Sequence, residues 1–187
     1  MVSLTAVACT AEGQDGEGLS SPRAQAAPLR KLPEIPVDGD IIEELEVGTR
    51  VVKRRPVAQA RLGRDRLVAY VEPSACGLLA VRSKAGPSGL AVGWPLDEDE
   101  GSPELPGGPY GLGSFSDGER GAPFAQLSCG KRAMVIEYDP KAHRRVSGVR
   151  GAVSVVRARD ERTVYLVVGP RHTRSRIADE LVSRRTP

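Results

Sequence analysis

The sequence predicts a mainly β fold, a small antiparallel sandwich or barrel-like domain with a C-terminal helix. Short apolar runs bounded by Gly, Pro and charged residues recur from about residue 38 onward, the pattern of brief strands joined by turns. The 21 Gly and 15 Pro supply turn residues in the number such a fold needs, and the few aromatics argue against a long-helix bundle. A length of 187 residues suits one domain with a real core plus a tail better than two independent domains.

The elements follow in order. Residues 41–47 (Ile41 to Val47) alternate apolar and acidic side chains. Ala58, Ala60 and Leu62 alternate with Gln59 and Arg61, and after Gly63-Arg64-Asp65 the chain continues as Leu67-Val68-Ala69-Tyr70-Val71, which predicts a hairpin closed by a tight turn. Further strands are expected at residues 77–81, 90–94, 134–138, 151–156 and 163–168. Val57–Val71 and Val153–Val167 share one plan of strand, charged turn and second strand, read as two similar hairpins and no more. Residues 95–122 break the pattern with Asp97-Glu98-Asp99-Glu100 and a Gly/Pro-dense stretch, and are expected to form a long loop. From Thr173 to Arg185 the spacing of Ile177 and Leu181, with Ala178 and Val182 beside them, predicts a helix packed on the sheet. Arg184 and Arg185 suit its C-terminal dipole.

The formal net charge of +3 is too small to imply a nucleic-acid partner by itself. Its distribution is uneven: residues 1–129 hold 13 basic and 18 acidic side chains, residues 130–187 hold 14 and 6. Such asymmetry marks either a surface for phosphate or anionic lipid or an ordinary solvated face. Arg outnumbers Lys 22 to 5 and Asn is absent, which fits the codon bias of a GC-rich genome and excludes an N-glycosylation sequon.

The N-terminal residues Met1 to Cys9 are apolar and small and end in a cysteine. The stretch Ala6-Val7-Ala8-Cys9 resembles the end of a bacterial, actinobacterial-type lipoprotein signal peptide. That resemblance implies cleavage before Cys9, acylation of Cys9, and a true start codon upstream of Met1. It covers four residues and implies nothing about the rest of the chain. Residues 10–37 are rich in Ala, Gly, Glu, Ser and Pro and read as a disordered tether, leaving residues 38–187 as a single β-rich domain. The competing reading is a disordered cytoplasmic tail with an ordinary Cys9.

Cys76 and Cys129 each sit at one end of an apolar run and precede a glycine. An even pair outside the cytoplasm is expected to form a disulfide, and two separate buried thiols are the alternative.

Chemistry is thinly represented. The two histidines, His143 and His172, have no cysteine or carboxylate at ligand spacing, and Asp97–Glu100 lacks the oxygen-ligand pattern of an EF-hand, so no metal or cofactor is expected. Ser114 and Ser116 lack the flanking glycines of a nucleophile elbow, and the glycines of residues 107–113 lead to no lysine or helix start. A thiol–imidazole pair of Cys76 or Cys129 with His172 requires a reduced cysteine, which the disulfide forbids. Arg171, His172, Arg174, Arg176, Arg184 and Arg185 form a possible basic contact face, with too few aromatics for single-strand stacking. The expectation is therefore a non-enzymatic domain held to a membrane by lipid on the extracytoplasmic side, binding an unknown protein, glycan or small ligand. The alternative is a cytoplasmic protein whose basic C-terminal face contacts nucleic acid or a partner.

Overall fold

The computed structural model describes residues 28–37, 53–82, 86–93, 110–116, 123–139, 145–158 and 163–183. A single 3-10 turn, η1 (Leu29–Lys31), precedes ten strands: β1 (Arg55–Leu62), β2 (Asp65–Val71), β3 (Ala75–Arg82), β4 (Gly86–Gly93), β5 (Gly111–Ser116), β6 (Pro123–Cys129), β7 (Met134–Tyr138), β8 (Val146–Gly151), β9 (Val153–Arg157) and β10 (Val164–Val168). Helix α1 (Arg171–Ser183) closes the described chain. The strands form two antiparallel five-stranded sheets, sandwich-like as the sequence predicts.

Sheet one runs β4-β3-β2-β1-β8 and sheet two β5-β6-β7-β10-β9. The β1–β2 hairpin pairs Leu62 with Asp65 across Gly63-Arg64, and Gly63 takes the positive φ (64°) that a two-residue hairpin loop requires. The two hairpins that looked alike in sequence both form, β1–β2 in sheet one and β9–β10 in sheet two. Between β8 and β9 the chain steps from one sheet to the other at Gly151-Ala152. Gly151 has φ 83°, and a Cβ there would collide with the Val57 carbonyl oxygen, so the corner needs glycine twice over. The strand expected at residues 151–156 is therefore broken here: Gly151 ends β8 and β9 begins at Val153.

Strands β2 and β10 are buried along both faces, which is why they are continuous apolar runs. In β10, Val164, Leu166 and Val168 enter the core between the sheets, while Tyr165 and Val167 face α1. In β2, Leu67, Ala69 and Val71 point inward, and Val68 and Tyr70 join Leu79 in a smaller outer cluster. The Tyr70 ring lies over Gly77, its cross-strand neighbour, where a Cβ would fall inside the ring. Its hydroxyl donates to the Leu90 carbonyl (3.1 Å). Helix α1 seats Ile177 and Leu181 against Val135, Tyr165 and Val167, with Ala178 at the margin. Val182, expected beside them, is exposed because it projects away from the sheet.

Two boundaries differ from the sequence reading. The tether was expected to reach residue 37, yet residues 28–37 pack on the domain. Leu29 is fully buried and Leu32 nearly so, the Leu29 N–H donates to the Lys131 carbonyl (2.8 Å), and the Ile35 N–H donates to Pro56 (2.9 Å). The Arg55 guanidinium donates to the Leu32 carbonyl (2.7 Å) and to that of Arg30. Prolines that exclude a long helix here still permit one turn, and that turn aims both leucines at the core. The second correction concerns the expected 95–122 loop, which contains β5, paired with β6 along its length. Its glycines sit where β4 presses close: a Cβ on Gly113 would reach Val92 at 2.6 Å. The strand expected at residues 41–47 lies outside the described residues.

Candidate functional site

One end of the sandwich gathers the features the sequence marked as chemical. Cys76, near the start of β3, and Cys129, at the end of β6, are disulfide-bonded with Cα atoms 6.0 Å apart and 53 residues between them in sequence. Both are fully buried, and the bond joins one sheet to the other. In the chain-entropy model, closing a loop of this length stabilises the fold by about 4 kcal/mol. With their sulfurs joined, neither cysteine is a nucleophile for His172, and the thiol–imidazole pairing is excluded.

Three segments meet beside that disulfide. The β6–β7 turn (residues 130–133) follows Cys129. It receives η1 through the Leu29-to-Lys131 hydrogen bond. The β10–α1 link packs against it, since Gly169 lies so near Arg132 that a Cβ would come within 3.0 Å of the Arg132 carbonyl oxygen. The register Cys129↔Met134↔Val168 fixes this arrangement. On the surface thus built, Arg30, Lys31, Lys131, Arg132, Arg171 and His172 are all exposed.

The basic helix face expected from sequence is only partly assembled. Arg171 and His172 lie at this end. Arg174 turns back to donate to the Gly169 carbonyl (3.2 Å), and Arg176 pairs with Glu180 one turn on (3.0 Å). Arg184 and Arg185, like Cys9, lie outside the described residues. The helix thus divides its described cations between a bond to the β10–α1 link, an intrahelical ion pair and the sandwich end. What sequence reading missed is the company Arg171 keeps: Arg30, Lys31 and Arg132 come from segments remote in sequence, and only the pairing of β6, β7 and β10 brings them together.

The opposite end is built differently. Tyr138, closing β7, donates from Oη to Oδ2 of Asp65, opening β2 (2.6 Å), a buried bond between sheets. The Phe124 ring stacks on Phe115 at 5.5 Å and meets Tyr138 edge-on at 6.3 Å, with the Arg82 guanidinium 4.4 Å from its centroid. Both phenylalanines of the chain are here. Ser114 and Ser116 alternate outward along β5, exposed and away from His172. Among the described residues no three His, Cys, Asp or Glu side chains gather into a cluster able to hold a metal ion.

No family model, curated protein or solved structure matches the chain. Burial pushes the Tyr70 hydroxyl above its usual pKa, partly offset by the Arg54 guanidinium 5.5 Å from the ring centre. Arg54 in turn pairs with Glu72 (3.0 Å), which ties the chain ahead of β1 to the β2–β3 turn.

Proposed function

We propose that the protein is a non-enzymatic binding or interaction domain held by lipid on the extracytoplasmic face of a membrane. The observation that carries the reading is the Cys76–Cys129 disulfide between the sheets. Disulfides of this structural kind persist in oxidising compartments and are rare where cellular thiols keep cysteines reduced. The Ala6-Val7-Ala8-Cys9 stretch supports it from the other side, because it supplies a lipid-bearing cysteine while the remaining two are consumed by the bond.

Mass spectrometry of the protein isolated from the cells that make it tests the reading. The expected species begins at Cys9, carries fatty acyl mass and partitions with membranes. A non-acylated chain with three free thiols would refute it.

A further inference from the structure

We propose that residues 28–37 are a latch over the Cys76–Cys129 bond: thiol reductants reach the sulfurs only when this segment lifts off the end of the sandwich, and breaking the bond in turn loosens the segment. The latch needs the disulfide and is independent of any lipid on Cys9. Its attachments sit on the two strand rows that hold the cysteines. In sheet two, Leu29 donates its N–H to the carbonyl of Lys131 (2.8 Å), in the turn that directly follows Cys129. In sheet one, register aligns Arg55 with Val71 and Val71 with Cys76. The Arg55 guanidinium donates to the Leu32 carbonyl (2.7 Å) and to that of Arg30, and the neighbouring Pro56 carbonyl accepts from the Ile35 N–H (2.9 Å). The segment therefore crosses from one sheet to the other at the rim where the bond does, and Leu29, Leu32, Cys76 and Cys129 belong to one buried cluster.

Both cysteines are fully buried, so in the closed fold a thiolate has no path to either sulfur. Reduction requires one. A thiolate of a dithiol bonds to one sulfur as the S–S bond breaks, and the other sulfur leaves as a thiolate and takes up a proton. The second thiol of the reagent, as its thiolate, then displaces the protein sulfur from the mixed disulfide, which leaves two protein thiols and the dithiol oxidised to a cyclic disulfide. Among the described segments at this end, the β2–β3 turn, the β6–β7 turn and the β10–α1 link each join two regular elements, whereas residues 28–37 belong to no ladder. Lifting them uncovers Leu29, Leu32 and the rim without unpairing a strand. The free energy of such a local opening is set by the contacts of the segment that moves, not by those at the far end of the domain. Coupling between bond and latch is reciprocal, so loss of the bond also raises the population of the lifted segment.

The test uses the full oxidised chain, non-acylated and carrying Cys9→Ser so that no internal thiol competes. Dithiothreitol is added under native conditions, and alkylation followed by peptide mapping reads the rate at which Cys76 and Cys129 become thiols. Leu29→Ala is expected to raise that rate roughly a hundredfold, the effect of emptying a buried leucine site on the opening equilibrium. Arg55→Met, which keeps the aliphatic stem and removes the donors, should raise it at least about tenfold. Tyr138→Phe weakens the opposite rim and should leave the rate unchanged, as should Arg132→Gln, which removes an exposed cation at the same end without touching the latch. Thermal melting checks that every variant folds, and Arg55→Met alone decides the matter if Leu29→Ala does not. In the other direction, the Cys76→Ala/Cys129→Ala protein should be cut by trypsin after Arg30 or Lys31 faster than the oxidised chain. Reduction that Tyr138→Phe speeds as much as Arg55→Met would show that the bond is reached only by global unfolding and would overturn the latch. Rates unmoved by Arg55→Met and Leu29→Ala, or equal cutting after Arg30 and Lys31 with and without the disulfide, would overturn it too.

Discussion

The two ends of the sandwich solve one problem by different chemistry. Each must hold the β4-β3-β2-β1-β8 sheet against the β5-β6-β7-β10-β9 sheet at the rim of the core. At one rim a covalent bond, Cys76–Cys129, does this. At the other a buried hydrogen bond, Tyr138 to Asp65, and a small aromatic stack do it. The first depends on an oxidising environment and the second is indifferent to it. A reducing compartment would therefore soften the fold at the end where the chain enters and where the exposed cations collect, and leave the aromatic end intact.

The largest effect should come from the covalent end. Replacing Cys76 and Cys129 by Ala is expected to lower unfolding stability by about 4 kcal/mol, read by urea denaturation. Reducing agent should do the same to the native chain and nothing further to the double variant. Leu29→Ala, which empties a fully buried site beneath the same end, should cost about 3 kcal/mol and release residues 28–37 to proteolysis. If that segment were only a tether, the substitution would be silent.

At the aromatic end, Tyr138→Phe removes a hydrogen bond to a carboxyl group and is expected to cost about 2 kcal/mol in the oxidised and the reduced protein alike. Independence from redox state is what sharpens the contrast between the ends. At the corner between sheets, Gly151→Ala should cost at least about 1 kcal/mol, because an L side chain resists its positive φ and meets the Val57 carbonyl.

The smallest expected effect is alkaline. Tyr70 has its pKa raised in the folded state above 10.0, so its contribution is complete below that value and is lost as pH rises through the folded pKa. Stability should decline above about pH 10, and Tyr70→Phe should flatten the decline, measured as Tm against pH.

Much of the fold is legible in the sequence where local and global signals agree. The β1–β2 hairpin announces itself by alternation on either side of Gly63-Arg64, and β7 and β10 by apolar runs of strand length. β5 is hidden because Gly111 and Gly113 look like loop residues until β4 is seen packed against them. Leu29 and Leu32 are hidden because prolines surround them, although their spacing of three residues is what one turn of 3-10 helix needs to put both on one side. The disulfide is readable once Cys9 is set aside, because an even pair, Cys76 and Cys129, then remains. The basic end is not, since no local pattern links Arg30, Arg132 and Arg171; strand register alone unites them.

Alkylation of free thiols in intact cells, followed by peptide mapping without reduction, shows whether the two sheets are joined through sulfur where the protein works. A linked pair of peptides containing Cys76 and Cys129 is expected, with neither cysteine alkylated. Recovery of both as alkylated thiols from otherwise folded protein would contradict it.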